Sequence, residues 1–184
     1  MRAELISLNR DYYLSTYTQT DSAALVEYLQ ERQIYEQTLN IPYPYTEAHA
    51  EWWINLNLQN AEKQNGVAVN WAIRRSSDHK LIGDAGFHGF NVGKSESAEL
   101  GYWLAKPYWN KGIMTQAAQV VTEIGFKKFG LKRITAHIFH YNIGSAKVLE
   151  KCGYRFESTL KDHYKKDGRL YDGQVYAKLF SDKN

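Results

Sequence analysis

The stretch from Ala98 to Lys128 leaves this chain few ways to fold. Ala98-Glu-Leu-Gly-Tyr-Trp-Leu-Ala105 is rich in β-favouring residues and reads as a strand. Pro107 ends it, and the break through Lys111 runs into Gly112. Beyond that glycine, Ala117, Val120, Val121 and Ile124 recur at helical spacing. A long amphipathic helix therefore opens at Gly112 and closes near Gly130, with Lys127 and Lys128 suited to its C-terminus. The strand needs a sheet, and the helix needs a sheet face to cover.

The flanking segments supply both. Residues 3–8 predict a first strand, and residues 21–33 a helix with Asp21 as its candidate cap. Pro42 and Pro44 forbid an interior helix over 41–46. Thr46 then caps a helix that carries Trp52, Trp53, Leu56 and Leu58. Residues 67–75 and 80–90 predict two strands joined by a turn at 76–79, and glycines in the second mark a bulge or a close backbone approach. Residues 131–140 form a strand, Asn142 starts a short helix closed at Gly153, and two strands follow around the Asp167-Gly168 turn. The expected architecture is α+β: one domain over 1–184, with a single mixed, mostly antiparallel sheet flanked by helices.

Composition removes several functions. The net charge of +3 is mild, and Lys127-Lys128, Lys132-Arg133 and Lys165-Lys166 are scattered pairs, not a nucleic-acid footprint. The single cysteine, Cys152, excludes an internal disulfide and a cysteine-based zinc cluster. His137 and His140, three apart in an expected strand, point to opposite faces and offer no metal spacing. No apolar run approaches a membrane span, so neither a membrane nor a metal is expected, and the cytoplasm is the expected compartment. Aromatic residues make up 14% of the chain. Core packing accounts for most of them, leaving some for an aromatic-lined site.

Two segments carry chemistry. At Gly112 a helix opens with unpaired amides and the positive end of its dipole, an arrangement suited to a pyrophosphate. Lys111 adds a charge and Thr115 a hydroxyl there. The second is Asn142-Ile-Gly-Ser145 through Gly153-Tyr154, in which Asn142 caps a helix and Gly153 closes it.

Taken in order, these pieces resemble the GNAT superfamily, in particular its RimJ/RimL-like N-acetyltransferases. Pro42-Tyr-Pro-Tyr-Thr46, Trp52-Trp53, Lys80-Leu-Ile-Gly83, Glu99-Leu-Gly-Tyr-Trp103, Tyr108-Trp-Asn-Lys-Gly-Ile-Met-Thr115 and Asn142 to Tyr154 carry the resemblance over nearly the whole chain. It implies a sheet splayed at a coenzyme A site, with acetyl-CoA as co-substrate. Tyr102, Trp103 and Leu104 would hydrogen-bond the pantetheine arm. Asn110, Lys111, Gly112, Ile113, Met114 and Thr115 would hold the pyrophosphate, and Asn142 and Ser145 would lie beside the coenzyme arm. Tyr43, Tyr45 and Trp53 would line the acceptor side.

Two departures stand out. Where the superfamily carries Arg/Gln-x-x-Gly-x-Gly/Ala, this chain has Trp109 and Met114 at the first and last positions. Many members also place a Tyr four residues after the Asn-x-x-Ser serine, where this chain has Leu149. Ser145 is then the expected partner of the leaving thiolate.

The acceptor must lose a proton before it attacks. At pH 7 that costs a lysine-like amine about 4.6 kcal/mol and an α-amine about 1.4 kcal/mol. Glu99 is the candidate base, directly or through a water, or else a rim carboxylate that attracts a cationic substrate. A peptide or protein N-terminus is favoured as acceptor. An amino acid, polyamine or aminoglycoside is the alternative, alongside a non-catalytic acyl-CoA-binding module or an aromatic protein-docking domain. Monomer and homodimer both fit. Cys152, near a helix end with no adjacent histidine, reads as a small buried hydrophobe, so transfer is expected in a ternary complex without an acyl-cysteine.

Overall fold

A computed structural model of the chain describes residues 5–64 and 66–183. Eight strands form one sheet in the order β1-β2-β3-β4-β5-β6-β8-β7. They are β1 (Ile6–Ser7), β2 (Tyr12–Ser15), β3 (Asn70–Arg75), β4 (Leu81–His88), β5 (Ser97–Leu104), β6 (Arg133–Phe139), β7 (Arg155–Lys166) and β8 (Arg169–Leu179). The helices are α1 (Ser22–Leu29), α2 (Arg32–Gln37), α3 (Glu47–Lys63), α4 (Ile113–Lys127) and α5 (Ile143–Lys151). Every adjacent pair is antiparallel except β5 with β6. The mixed, mostly antiparallel sheet is the one expected.

Alternation along the strands assigns the two faces of the sheet. Phe87 on β4 and Ile134 on β6 meet Gly125 of α4, and Leu100, opposite Phe87, shares that buried face. Asp84 and His88 of β4 and their partners Trp103 and Glu99 of β5 lie on the other face, where Trp53 of α3 packs near His88. Helix α4 thus covers one side of the sheet and α3 the other.

Several boundaries differ from expectation. In the predicted first strand, Ala3 and Glu4 lie outside the described residues, and pairing is confined to Ile6 and Ser7. Strand β2 went unpredicted. The predicted helix over 21–33 is two helices, because Glu31 is extended at φ −68°, ψ 115° and caps α2 with its own carboxylate on the Gln33 amide. Asp21 makes no side-chain cap hydrogen bond to α1. Its carboxylate accepts the Thr18 amide at 2.7 Å and a bidentate pair from Arg74 at 2.6 and 2.7 Å. Gly83 marks both features expected of a β4 glycine: it adjoins a β-bulge, and a Cβ there would stand 2.5 Å from the Trp103 carbonyl oxygen. The register slips where Ile73 pairs with Gly83 and Arg74 with Leu81, which leaves Ile82 as the extra residue on β4.

Arg74 and Asp21 are both buried, and the remaining Arg74 donors go to Ser15 Oγ and to the carbonyls of Thr16 and His79. The pair ties the start of α1 to β2 and β3. Removing one charge leaves the other buried without a counter-charge, which costs about 3–5 kcal/mol. Asp21→Asn is therefore expected to lower the unfolding free energy by about 3 kcal/mol in urea titrations. A loss under about 1 kcal/mol would show that the fold does not lean on this pair.

Candidate active site

Strands β5 and β6 pair over three positions only: Ser97 with Arg133, Ala98 with Ile134 and Glu99 with Thr135. Beyond Glu99, β5 keeps its antiparallel partner β4 as far as Leu104, while β6 continues to Phe139 paired with β8. The sheet is therefore split into a wedge from residue 100 onward. The backbone edge of β5 inside the wedge has no strand beside it, and such groups call for hydrogen-bond partners. At its far end the Leu104 carbonyl accepts the Trp109 indole N–H at 2.6 Å. Trp109, which brings no charge to the loop, instead closes the strand end.

The break after β5 is held by Tyr108, buried edge-on to Tyr12 and Tyr28 with ring centroids 6.5 and 6.4 Å away. Asn110 and Gly112 both take left-handed backbone, at φ 60° and 74°. Nothing lies within 4 Å of where a Cβ on Gly112 would stand, so the dihedral, not crowding, selects glycine there. The first intrahelical bond of α4 runs from Gln116 N–H to the Gly112 carbonyl. The amides of Ile113, Met114 and Thr115 thus open the helix without carbonyl partners among the described residues. Lys111 is exposed, its Nζ 5.5 Å from the Tyr108 ring centre. Met114 is buried in the core, so its bulk does not crowd the loop.

Across the wedge stands α5. The Asn142 side-chain oxygen accepts the Ser145 amide at 3.0 Å, and its Nδ2 donates to the Gln37 carbonyl at 3.2 Å. Asn142 is thus engaged at both ends of its amide. Ser145 Oγ lies 2.7 Å from the Tyr102 hydroxyl, a contact that spans the wedge on the α4–α5 side. Burial pushes the Tyr102 phenol well above its ordinary range. Tyr102 was expected for its backbone, and the side-chain contact to Ser145 was not foreseen. Cys152 is buried at the end of α5, its Sγ 3.5 Å from the Thr115 carbonyl. Burial raises its thiol to about 11, outweighing the pull of Lys178, which leaves no thiolate at neutral pH.

The opposite face holds the acidic and aromatic groups. Asp84 is buried beneath Trp103 and accepts a short hydrogen bond from the Tyr17 hydroxyl, which in turn accepts the Trp53 indole N–H at 3.0 Å. Tyr45 is buried close enough to Asp84 to feel its charge. Trp53 and Tyr45, both expected on the acceptor side, therefore share one anchored cluster. Trp52 is 64% exposed and Tyr43 sits apart, against Tyr35 at 5.3 Å. Glu99 is half-buried at the closed end of the wedge, in the last β5–β6 pair. His137 Nδ1 lies 3.2 Å from the Tyr164 hydroxyl, whose acidity burial and then the Glu99 charge weaken. His140, just past β6, instead meets the Asp172 carbonyl at 3.2 Å. Asp84, His88, His137 and Tyr164 were missed by sequence reasoning. Period-two spacing put Asp84 and His88 on one face of β4, but the register that sets His88 opposite Glu99 is not written locally.

The model for the acetyltransferase (GNAT) domain matches residues 12–155. The chain belongs to the GNAT family. It is 34% identical over 114 residues to the Bacillus subtilis N-acetyltransferase YoaA, spanning 62% of this chain and 64% of that protein. It is 26% identical to the Escherichia coli ribosomal protein uS5-alanine N-acetyltransferase, over 68% of this chain and 65% of that one. A Bacillus anthracis GNAT structure superposes with a TM-score of 0.81 at 25% identity, over 96% and 98% of the two chains. RimL, the ribosomal L7/L12 α-N-protein acetyltransferase solved with coenzyme A, gives 0.84 at 19% identity, over 98% and 100%. The matched region thus covers just under two thirds of YoaA and of the uS5 enzyme. Among the described residues, no helix is long and apolar enough to cross a membrane, and no group of three or more His, Cys, Asp or Glu could hold a metal ion.

The acidic floor of this GNAT site makes a pH-dependent contribution to stability. Burial raises the Asp84 carboxyl to about 6, against the opposing pull of the Tyr17 hydrogen bond. A carboxyl raised on folding contributes stability that is complete below its unfolded value and lost as pH rises through the folded one. Asp84→Asn removes that dependence. The stability advantage of the unaltered protein over the variant should fall by about 2 kcal/mol between pH 4 and pH 7. Urea titrations at the two pH values that returned a constant difference would contradict a neutral Asp84 at low pH.

Proposed function

We propose that this protein transfers an acetyl group from acetyl-CoA to a primary amine, by direct attack within a ternary complex. The observation that carries the reading is the three-residue β5–β6 pairing followed by a wedge, with free α4 amides at one end and Glu99 at the other. The pantetheine arm fits beside Tyr102, Trp103 and Leu104, where the β5 edge has no strand. The pyrophosphate fits the Asn110–Thr115 loop, whose left-handed residues turn main-chain amides outward. These features suit coenzyme A.

The amine enters from the α3 face, past Trp53 and Glu99, with Tyr45 beneath. The thiolate departs on the other face, toward Ser145 and Tyr102. Main-chain amides along β5 stabilise the oxyanion of the tetrahedral intermediate, typically the largest catalytic term. The raised Cys152 thiol supports transfer without an acyl-cysteine. The favoured acceptor is the α-amine of a peptide or protein N-terminus. Its support is the named activity of the uS5 relative and of RimL, together with the small proton-loss cost of an α-amine.

Two measurements test this. Acetyl-CoA at a hundred times its Kd should raise the melting temperature by about 5–10 °C. Gly112→Asp, which sets a carboxylate against the pyrophosphate, should abolish the shift. Gly112→Asn, neutral and tolerant of left-handed backbone, should keep most of it. An unchanged shift in Gly112→Asp would put the coenzyme elsewhere. A turnover screen should then show acetylation of peptides with free N-termini and none of the same peptides N-terminally blocked. Turnover of a polyamine or aminoglycoside alone would leave the transferase reading standing and move the acceptor to a small amine.

A further inference from the structure

We infer that His88 is the base of this reaction and that Glu99 holds the incoming ammonium. The inference rests on the acetyltransferase reading above and deepens it at the same site. Strand β5 leaves β6 after Glu99, so Gly101 is the first position inside the wedge whose side-chain direction faces α3. It has no side chain, and the hollow is filled by His88. The His88 Nε2 lies 2.5 Å from where a Cβ on Gly101 would stand, and its Cδ2 lies 2.7 Å away. The ring is solvent-accessible, and Trp53 lies on its α3 side with centroids 6.4 Å apart. His88 and Glu99 are direct cross-strand partners on one face, the spacing at which side chains interact. The charged groups facing the ring are Asp84, four residues away along β4, and Glu99 on β5. From α3 it meets the uncharged Trp53 indole.

General basicity decides which partner takes the proton. Passing a proton from an α-ammonium near pKa 8 to a carboxylate of ordinary basicity is uphill by roughly four powers of ten. Passing it to an imidazole is uphill by only about 30-fold. A carboxylate is better used as a counter-charge that binds the ammonium and turns its N–H toward the neighbouring ring. The first amine proton goes to the imidazole and then to water. The nitrogen lone pair bonds the thioester carbon, the carbon–sulfur bond breaks, and its electron pair leaves on sulfur. The second proton lost by nitrogen balances the thiolate that becomes the coenzyme thiol, so each ammonium acetylated releases one proton to solvent.

The test uses the full-length protein with acetyl-CoA and an amine that the unaltered protein acetylates. His88→Ala should lower kcat by roughly 10²–10⁴ with little change in the amine KM. Added imidazole, entering the vacated hollow, should restore turnover in proportion to its concentration. The loss should also shrink from pH 7 to pH 9, as the amine becomes neutral unaided. His88→Gln, which fills the space without a basic nitrogen, should be as impaired as His88→Ala. Glu99→Gln should instead raise the amine KM and gain nothing from imidazole. Normal turnover in His88→Gln would reduce the ring to a filler over Gly101 and overturn the assignment. So would a His88→Ala loss that is equal at both pH values and unrelieved by imidazole. The acetyl-CoA melting shift of each variant is the control: an active wild type with an active His88→Ala defeats only this inference. A wild type that acetylates no amine defeats the transferase reading with it.

Discussion

Everything at this site depends on a ladder that stops. Three parallel pairs join β5 to β6, and after Glu99 the two strands follow different partners, β4 and β8. A continuous sheet would have satisfied the backbone of residues 100–104 and left no opening. The break exposes an edge of main-chain donors and acceptors inside the fold, where native sheets usually cover such an edge. It also directs what happens nearby: the strand end needs Trp109 to occupy the Leu104 carbonyl, and α5 approaches closely enough for Ser145 to meet Tyr102.

The sheet around that opening is stiffened from below. Arg74 and Asp21 tie α1 to β2 and β3, and the Asp84–Tyr17–Trp53 chain of hydrogen bonds fixes α3 over β4. Both devices bury polar groups, which is tolerable only because the donors find acceptors. Their common effect is to hold the α3 wall while the wedge stays open, which is how a rigid element positions groups with small error.

Much of this was legible in the chain. Periodicity located α3, α4, α5 and the strands from 67 onward to within a few residues, because amphipathic helices and β-rich runs announce themselves over many positions. The loop at Gly112 was legible because a proline, a glycine and a helical stripe fall in fixed order. Short or interrupted elements were not. Strand β2 has four residues, and the split between α1 and α2 turns on a single extended residue, Glu31, that no local signal marks. Asp21 looked like a cap because acids favour that position, and a long-range partner, Arg74, claimed it instead. At the site, segment order marked the β5 edge and the Gly112 loop, whereas the place of His88 was not marked. Its meaning comes from the register across an eight-residue loop and from the missing side chain at Gly101, both properties of the assembled sheet.

The alternation of β5 has a consequence for how such a protein can change over generations. Glu99, Gly101 and Trp103 face one partner layer, and Leu100, Tyr102 and Leu104 face the other, so adjacent codons answer to different selective demands. Substitutions on α3, in the loop before it, or at Glu99 rewrite the wall proposed to receive the amine. They leave the edge toward α4 and α5 intact, since the backbone that links the two surfaces is shared but the side chains are not. On the proposed function, a lineage can therefore trade one acceptor for another while the coenzyme half drifts little. The same strand serves as a fixed handle on one side and a replaceable mould on the other.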